Sequence, residues 1–320
     1  MSARLSQISS KNGVQRQAAI RATARSTPAV ETKLGIGILR VTTDIEFGPQ
    51  AYIIGAQKSA TTSLAFLMGQ HPMVVLSEPK EPDFLTVNWS KGLDWYQSRF
   101  RRSDGILIDA SVGYSMAPVA PGRDAEVAAP ARAHAISPQA KLIYMVRDPA
   151  DRCYSAYWHE VRAGREKRPL REAVRAGAYY VSASYYFFQL SSWLRYFSLD
   201  QILILRFSEF VASPQDVANR CIAFLGASPA PFAFEIGQPK NESFNYTSFG
   251  RGLQKLLGND GIKSLTSWSS HIVPSTLKAQ LKRALTTEIP TIAADDYAWL
   301  SDLFRDDAAA FERTTGIKPL

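Results

Sequence analysis

The stretch from Gly55 to Ser63, Gly-Ala-Gln-Lys-Ser-Ala-Thr-Thr-Ser, carries one lysine and four hydroxyl side chains and no acid. That composition suits an anion. Lys58 supplies a full positive charge, and Ser59, Thr61, Thr62 and Ser63 supply O–H donors. The small residues Gly55 and Ala60 let backbone N–H groups approach a ligand closely. A helix starting near Thr61 would aim its dipole and its unpaired first N–H groups at the same point, a cradle for phosphate. The same residues also fit a plainer description, a hydroxyl-rich helix start with one solvated lysine. The turn is not a Walker A loop, because Lys58 follows Gly55 by three residues and the chain contains no Gly-Lys pair. A P-loop kinase would also bring a metal-holding acid on another strand. Asp148 is the one candidate, and it stands between Arg147 and Pro149, a poor setting for a metal ligand.

Two further places could do chemistry. Arg147 ends the apolar run Leu-Ile-Tyr-Met-Val, and Ser155 follows eight residues later. In a helix opened by Pro149, Ser155 lies roughly two turns in and can face whatever Arg147 faces. The competing reading for Arg147 is an ion pair with Asp148 or Asp151. Glu81 sits in Glu-Pro-Lys-Glu-Pro (78–82), where an isolated acid is ordinarily a solvated charge.

These residues need elements to hold them. Continuous apolar strands are predicted at 51–56, 73–76, 105–111, 141–148 and 201–207, and helices at 61–70, 149–161, 184–197 and 213–226. Strands alternating with helices predict an α/β fold, a central mainly parallel sheet flanked by helices in three layers. The stretch 113–139 reads as loop with short helices, and 240–320 as loops and helices completing the same domain.

Composition narrows the class. The chain has 320 residues, 46% hydrophobic, enough for one substantial core, and a net charge of +8. Five of those charges (Arg4, Lys11, Arg16, Arg21, Arg25) lie in residues 1–30, which contain no acid, leaving three for the body. That balance favours an anionic ligand without demanding nucleic acid. Residues 1–45 read as a disordered basic tail or a transit peptide, and 46–320 as the domain. No apolar run is long enough for a membrane span, so the expectation is a soluble protein, cytoplasmic or organellar through its basic N-terminus. Cys153 and Cys221 are too few for a disulfide framework and are expected to be buried, inert thiols.

In this order and spacing the motifs resemble the sulfotransferases that use 3′-phosphoadenylyl sulfate (PAPS). Gly-Ala-Gln-Lys-Ser-Ala-Thr-Thr-Ser-Leu is similar to their 5′-phosphosulfate loop, and Val-Arg-Asp-Pro-Ala-Asp-Arg-Cys-Tyr-Ser-Ala-Tyr-Trp to their 3′-phosphate segment. Glu-Pro-Lys-Glu-Pro-Asp-Phe-Leu and Lys-Gly-Leu-Asp-Trp-Tyr resemble the acidic segment and the Gly-x-x-Trp-Tyr stretch of the heparan-sulfate and bacterial carbohydrate-type branch. The similarity runs from about 50 to 226.

The resemblance implies a P-loop-like fold and direct in-line transfer of a sulfuryl group from PAPS to an acceptor hydroxyl on a carbohydrate or small metabolite. The product nucleotide would be adenosine 3′,5′-bisphosphate, and the scheme calls for no metal. By the resemblance, Gly55, Lys58, Ser59, Ala60, Thr61, Thr62 and Ser63 hold the 5′ end of the cofactor, and Arg147 and Ser155 hold its 3′-phosphate. Arg251 is the candidate for a loop closing over the nucleotide. Lys58 would stabilise charge on the bridging oxygen and Glu81 would be the general base, with Glu78 its rival and Lys80 a contact to cofactor or acceptor. Ser184 and Tyr185 are candidates for the acceptor cleft or for contact with the cofactor phosphate. Two departures stand out: Ala60 replaces a glycine usual after the lysine, and Ala110 replaces a lysine that the heparan-sulfate branch places near its acceptor. A P-loop kinase predicts dependence on ATP and Mg2+ instead, and a non-catalytic bisphosphate-binding module predicts binding without turnover.

Overall fold

The computed structural model describes residues 47–119, 128–177, 179–229, 235, 244–247, 251–252 and 284–320. The tail assigned to 1–45 lies outside the described residues. The frame is a five-stranded sheet in the order β2-β3-β1-β4-β5, built from β1 (Ala51–Gly55), β2 (Val74–Leu76), β3 (Ile106–Asp109), β4 (Lys141–Val146) and β5 (Ile202–Arg206). Every pairing is parallel. All five strands therefore end at one edge, and the turns after them share that edge. β1 sits at the centre, with the chain leaving it toward β2 on one side and reaching β4 on the other, the switch point where open α/β sheets bind ligands.

Alternate residues of the strands fill two cores. Tyr52, Ile54, Leu142, Tyr144 and Ile204 pack with α3 (Ala128–Ile136), α7 (Tyr186–Trp193) and Phe311. Ala51, Ile53, Ile143, Met145 and Leu205 pack on the other face with α1 (Thr61–Met68), α8 (Phe207–Ala212) and α9 (Pro214–Phe224). Between α1 and α3 lies α2 (Gly92–Gln97). The two-sided burial explains why the strands read as unbroken apolar runs.

A third cluster joins α4 (Pro149–Arg162), α5 (Leu170–Arg175), α6 (Tyr179–Ser182) and α10 (Ala294–Thr315). Cys153 is buried there and Cys221 in the α9 core, both unbridged. Asp307 of α10 accepts the N–H groups of Phe187 and Phe188 at 2.9 Å, capping the start of α7. The region past 240, read as loops and helices, also holds an antiparallel pair, β6 (Phe244–Tyr246) with β7 (Thr286–Glu288). Three-residue strands some forty positions apart leave no periodicity to read.

Candidate functional site

Gly55 ends β1 at φ +151, and a Cβ there would stand 3.1 Å from Ser115 Cβ and 3.3 Å from Tyr144 Cε2, so any other residue would strain the backbone and crowd both neighbours. The turn then passes through two left-handed residues, Lys58 (φ 68) and Ala60 (φ 62). Ala60 is the N-cap of α1 and gives no side-chain cap, so the first N–H groups of this helix, Thr61 to Ser63, have no partner within the helix. The first turn of α1 contains no acid. Ser59 is fully buried and its hydroxyl has no hydrogen-bond partner. Thr61 is also buried, while Thr62 and Ser63 are half-buried.

Arg147 follows β4, the neighbour of β1. Its Nη1 donates to the Lys58 carbonyl at 3.4 Å, its Nη2 lies 3.4 Å from Asp151 Oδ2, and its plane covers Phe207 at 4.7 Å. The expected alternative, an ion pair with Asp151, is thus present together with the contact to the turn. Arg147 Nε is buried without a partner. The start of α4 is fixed by Asp148, whose Oδ1 accepts the Asp151 N–H at 2.8 Å, with Pro149 in the first turn. At i, i+4 spacing, Asp151, Ser155 and His159 share one face of α4. Ser155 is half-buried.

Charge accumulates on this face. Burial first, then Arg162, Arg147 and Arg152, push the Lys58 amine down to about 8, only partly opposed by Glu160. His159 is held down to about 4 by burial and by Lys58 and Arg162. His159, which without a motif around it reads as a structural or exposed histidine, thus stands in the electrostatic reach of Lys58, on the same helix face as Ser155. Arg152 is fully buried, donating through Nε to Ser184 Oγ at 2.6 Å, and Ser184 Oγ donates to the Pro149 carbonyl at 2.8 Å. Ser184 therefore holds the start of α4 and does not line a cleft. Tyr185 packs its ring on Phe304 at 5.0 Å, inside the third core cluster.

The loop after β2 brings the carboxylates. Lys80 Nζ donates to Glu81 Oε1 at 2.6 Å, and both side chains keep some exposure. Glu78 instead makes a two-bonded pair with Arg101 at 2.7 and 2.9 Å in open solvent, which holds its carboxyl below the usual range. It is an exposed surface ion pair, whereas the Glu81 pair with Lys80 is more sheltered. Asp83, which sequence reading passed over, is half-buried at φ 48, its carboxyl pushed up by burial and by Glu81. Beneath this loop, Asp109 at the end of β3 is completely buried and raised to about 6 by desolvation. Ala110 is fully buried, and its N–H donates to the Lys80 carbonyl at 3.3 Å.

Two further basic stretches lie apart in sequence from the Lys58 turn and Arg147. Arg251 is exposed, its N–H bonded to the Thr247 carbonyl at 2.8 Å, just past β6, which lies beside α4. In the basic run 164–169, Arg165 binds Glu160 at 2.6 Å and Arg168 binds Glu166 at 2.8 Å, so most of its charge is locally neutralised.

A parallel α/β sheet with a helix N-terminus, a lysine and a strand-end arginine converging at the switch point defines an anion-binding α/β protein of the P-loop-like kind. The sulfotransferase domain family matches residues 49–249, well over half of the chain, and the chain belongs to that family. It is similar to the bifunctional heparan sulfate N-deacetylase/N-sulfotransferase 4 of Mus musculus, 29% identical over 57% of this chain and 22% of that protein. It is also similar to bifunctional heparan sulfate N-deacetylase/N-sulfotransferase 1 of Caenorhabditis elegans, 27% identical over 62% of this chain and 24% of that one. The chain spans only about a quarter of the length of these relatives. Among solved structures, the sulfotransferase from Alicyclobacillus acidocaldarius shares the fold with a TM-score of 0.58 at 22% identity, over 84% of this chain and 96% of that one. Among the described residues, no helix is long and apolar enough to cross a membrane.

Proposed function

We propose that this protein transfers a sulfuryl group from PAPS to an acceptor on a carbohydrate or small metabolite. The observation that carries this reading is the contact between Arg147 Nη1 and the Lys58 carbonyl, which joins two cationic loops from adjacent parallel strands into one wall. PAPS fits the donor set: the unpaired N–H groups of α1, the orphan hydroxyl of Ser59 and the unpartnered Arg147 Nε all ask for acceptor oxygens. When bound, PAPS supplies a sulfuryl group on a phosphate leaving group.

The chain's own residues divide the work. Gly55 to Ser63 bind the 5′ end, and Arg147 with Ser155 binds the 3′-phosphate. Lys58 lends its charge to the oxygen on which negative charge develops, an effect strengthened by partial burial. Glu81 takes the proton of the acceptor, after Lys80 gives up or follows its 2.6 Å bond. His159, kept neutral beside Lys58 with its Nδ1 accepting from Arg162 Nη2 at 3.1 Å, adds no charge to the donor side. The named activity of the relatives, N-sulfotransfer on heparan sulfate, adds an amine to the hydroxyl as a candidate acceptor group. Residues 46–320 form the sulfotransferase domain in this reading, supported by the family match beginning at 49. The basic segment 1–45 stands outside it as a tail or transit peptide.

Calorimetric titration with adenosine 3′,5′-bisphosphate, beside ATP with Mg2+, tests the reading. Tight binding of the bisphosphate, lost in Arg147→Ala, is the expected result. ATP binding without response to the bisphosphate would sink it in favour of a phosphotransferase. Binding of the bisphosphate with no consumption of PAPS against any sugar acceptor would instead mean a non-catalytic binding module.

A further inference from the structure

Four donors converge on the buried carboxylate of Asp109. Tyr96 Oη at 2.7 Å and Tyr114 Oη at 2.6 Å donate to Oδ2, while Ser111 Oγ at 2.6 Å and the Ser111 N–H at 3.0 Å donate to Oδ1. Two of these hydroxyls are also acceptors. Ser111 Oγ accepts the Asp83 N–H at 3.0 Å, and Tyr114 Oη accepts the Leu85 N–H at 3.2 Å. Two hydrogen-bonded chains thus run from one carboxylate to alternate backbone amides of the segment that follows Glu81 and Pro82. The near side of the segment is tied as well, since the Lys80 carbonyl accepts from Ala110 N at 3.3 Å and from Ser77 Oγ at 3.0 Å. The Asp83 carbonyl accepts from Asn88 N at 3.0 Å, closing the loop on itself.

We infer that Asp109 is a positioning residue for the Glu81 segment, fixing through Ser111 and Tyr114 where that carboxylate stands at the carboxyl edge of the sheet. The inference rests on the reading of Glu81 as the base. A carboxylate suits the task because it offers lone pairs to all four donors, and a charged acceptor polarises each hydroxyl so that it receives an amide proton more strongly. The strand beneath is rigid, so the chains transmit its position to the loop. The Tyr96 branch is different. Its hydroxyl leads to α2 rather than to either amide, while its ring stacks on Phe84 at 4.1 Å. Tyr96→Phe keeps that ring and removes one bond to Asp109 without cutting either chain.

The test compares Ser111→Ala, Tyr114→Phe and Tyr96→Phe, with Glu81→Gln as reference. Amide hydrogen exchange in 80–86 is read by mass spectrometry, bisphosphate affinity by calorimetry, and transfer from PAPS to a glucosamine-bearing oligosaccharide as the rate. Should that probe accept nothing, the slow consumption of PAPS with water as acceptor is the rate compared. Ser111→Ala and Tyr114→Phe are expected to exchange faster in 80–86 and to lose about ten-fold or more in kcat, with KM for PAPS and bisphosphate affinity unchanged. Tyr96→Phe is expected to lower Tm and leave exchange in 80–86 and kcat alone. Unaltered exchange in the two chain variants, or an equal loss in Tyr96→Phe, overturns the inference. Faster exchange with an unchanged rate, in an enzyme that Glu81→Gln inactivates, also overturns it while the reading of Glu81 stands. Full turnover in Glu81→Gln overturns that reading itself, and the positioning role with it.

Discussion

Arg147 Nη1 donates to the carbonyl oxygen of Lys58 at 3.4 Å across 89 positions of sequence, so the guanidinium after β4 forms part of the turn after β1. Its loss removes both a charge and a wall. Arg147→Ala is expected to weaken adenosine 3′,5′-bisphosphate roughly ten- to hundred-fold, the range for losing hydrogen bonds to a charged group. Arg147→Lys should restore only part, because an ammonium cannot reproduce the planar fork. Titration of the three proteins at one ionic strength decides it.

Lys58 gives nucleotide binding a pH dependence. Its folded-state pKa is depressed to about 8, so without ligand the ammonium loses its proton as pH rises through that value. A polyanion favours the charged form. Binding near pH 9 should therefore take up a fraction of a proton, and affinity should fall as pH climbs above about 8. Calorimetry in two buffers of different ionisation enthalpy measures the uptake, and Lys58→Arg should abolish it. A buffer-independent heat in the wild type would contradict the burial and charge crowding described around Lys58.

Ala60 occupies a left-handed conformation that costs a residue with a Cβ about 1 kcal/mol. Ala60→Gly relieves that strain and gains backbone freedom in the unfolded chain, so a net change between zero and about 1 kcal/mol of stabilisation is expected. Ala60→Val should destabilise by more than that. Urea unfolding midpoints at constant slope test both.

Two buried carboxyls set the acid side of the stability curve. Asp109 and Asp307 are both raised to about 6, chiefly by desolvation. Because the folded state holds these protons more tightly than the unfolded one, their contribution is complete below about pH 4. It is lost as pH rises through about 6. Asp109→Asn should flatten that fall and leave the share due to Asp307, as read from urea-derived stability between about pH 4 and 7.

Glu78 and Glu81 lie three residues apart and should respond oppositely. Glu78→Ala breaks an exposed pair with Arg101 and is expected to shift stability by under about 0.5 kcal/mol with activity intact. Glu81→Gln keeps shape and removes the base, and should lower kcat by about a hundred-fold or more.

The sheet was legible because each parallel strand is buried on both faces and so reads as an unbroken apolar run. The turn at Gly55 to Ser63 was legible from residue types alone, since an anion cradle needs small residues, hydroxyls and a cation close in sequence. Arg147 and Lys58 were found separately; their contact depends on strand order, which no local pattern states. His159 reads as a structural or exposed histidine and Asp83 goes unremarked, because each looks ordinary in sequence and acquires its character from burial and neighbouring charge. Ser184 illustrates the converse: a hydroxyl beside aromatics fits a cleft or a cofactor phosphate equally well in sequence, and only the structure shows it bonded to Arg152. The pair β6 and β7 and the Asp109 network rest on contacts between distant segments, where sequence periodicity has nothing to report.

Burial of the two cysteines has a consequence for handling and for environment. The Cys153 thiol is pushed up to about 11 and the Cys221 thiol to about 12, both by desolvation. At neutral pH almost no thiolate exists at either, and thiolate is the species that oxidants and alkylating reagents attack. They lie in different core clusters, so neither offers the other a partner. The fold is accordingly indifferent to redox poise, and a cysteine introduced on its surface would be the one that reacts.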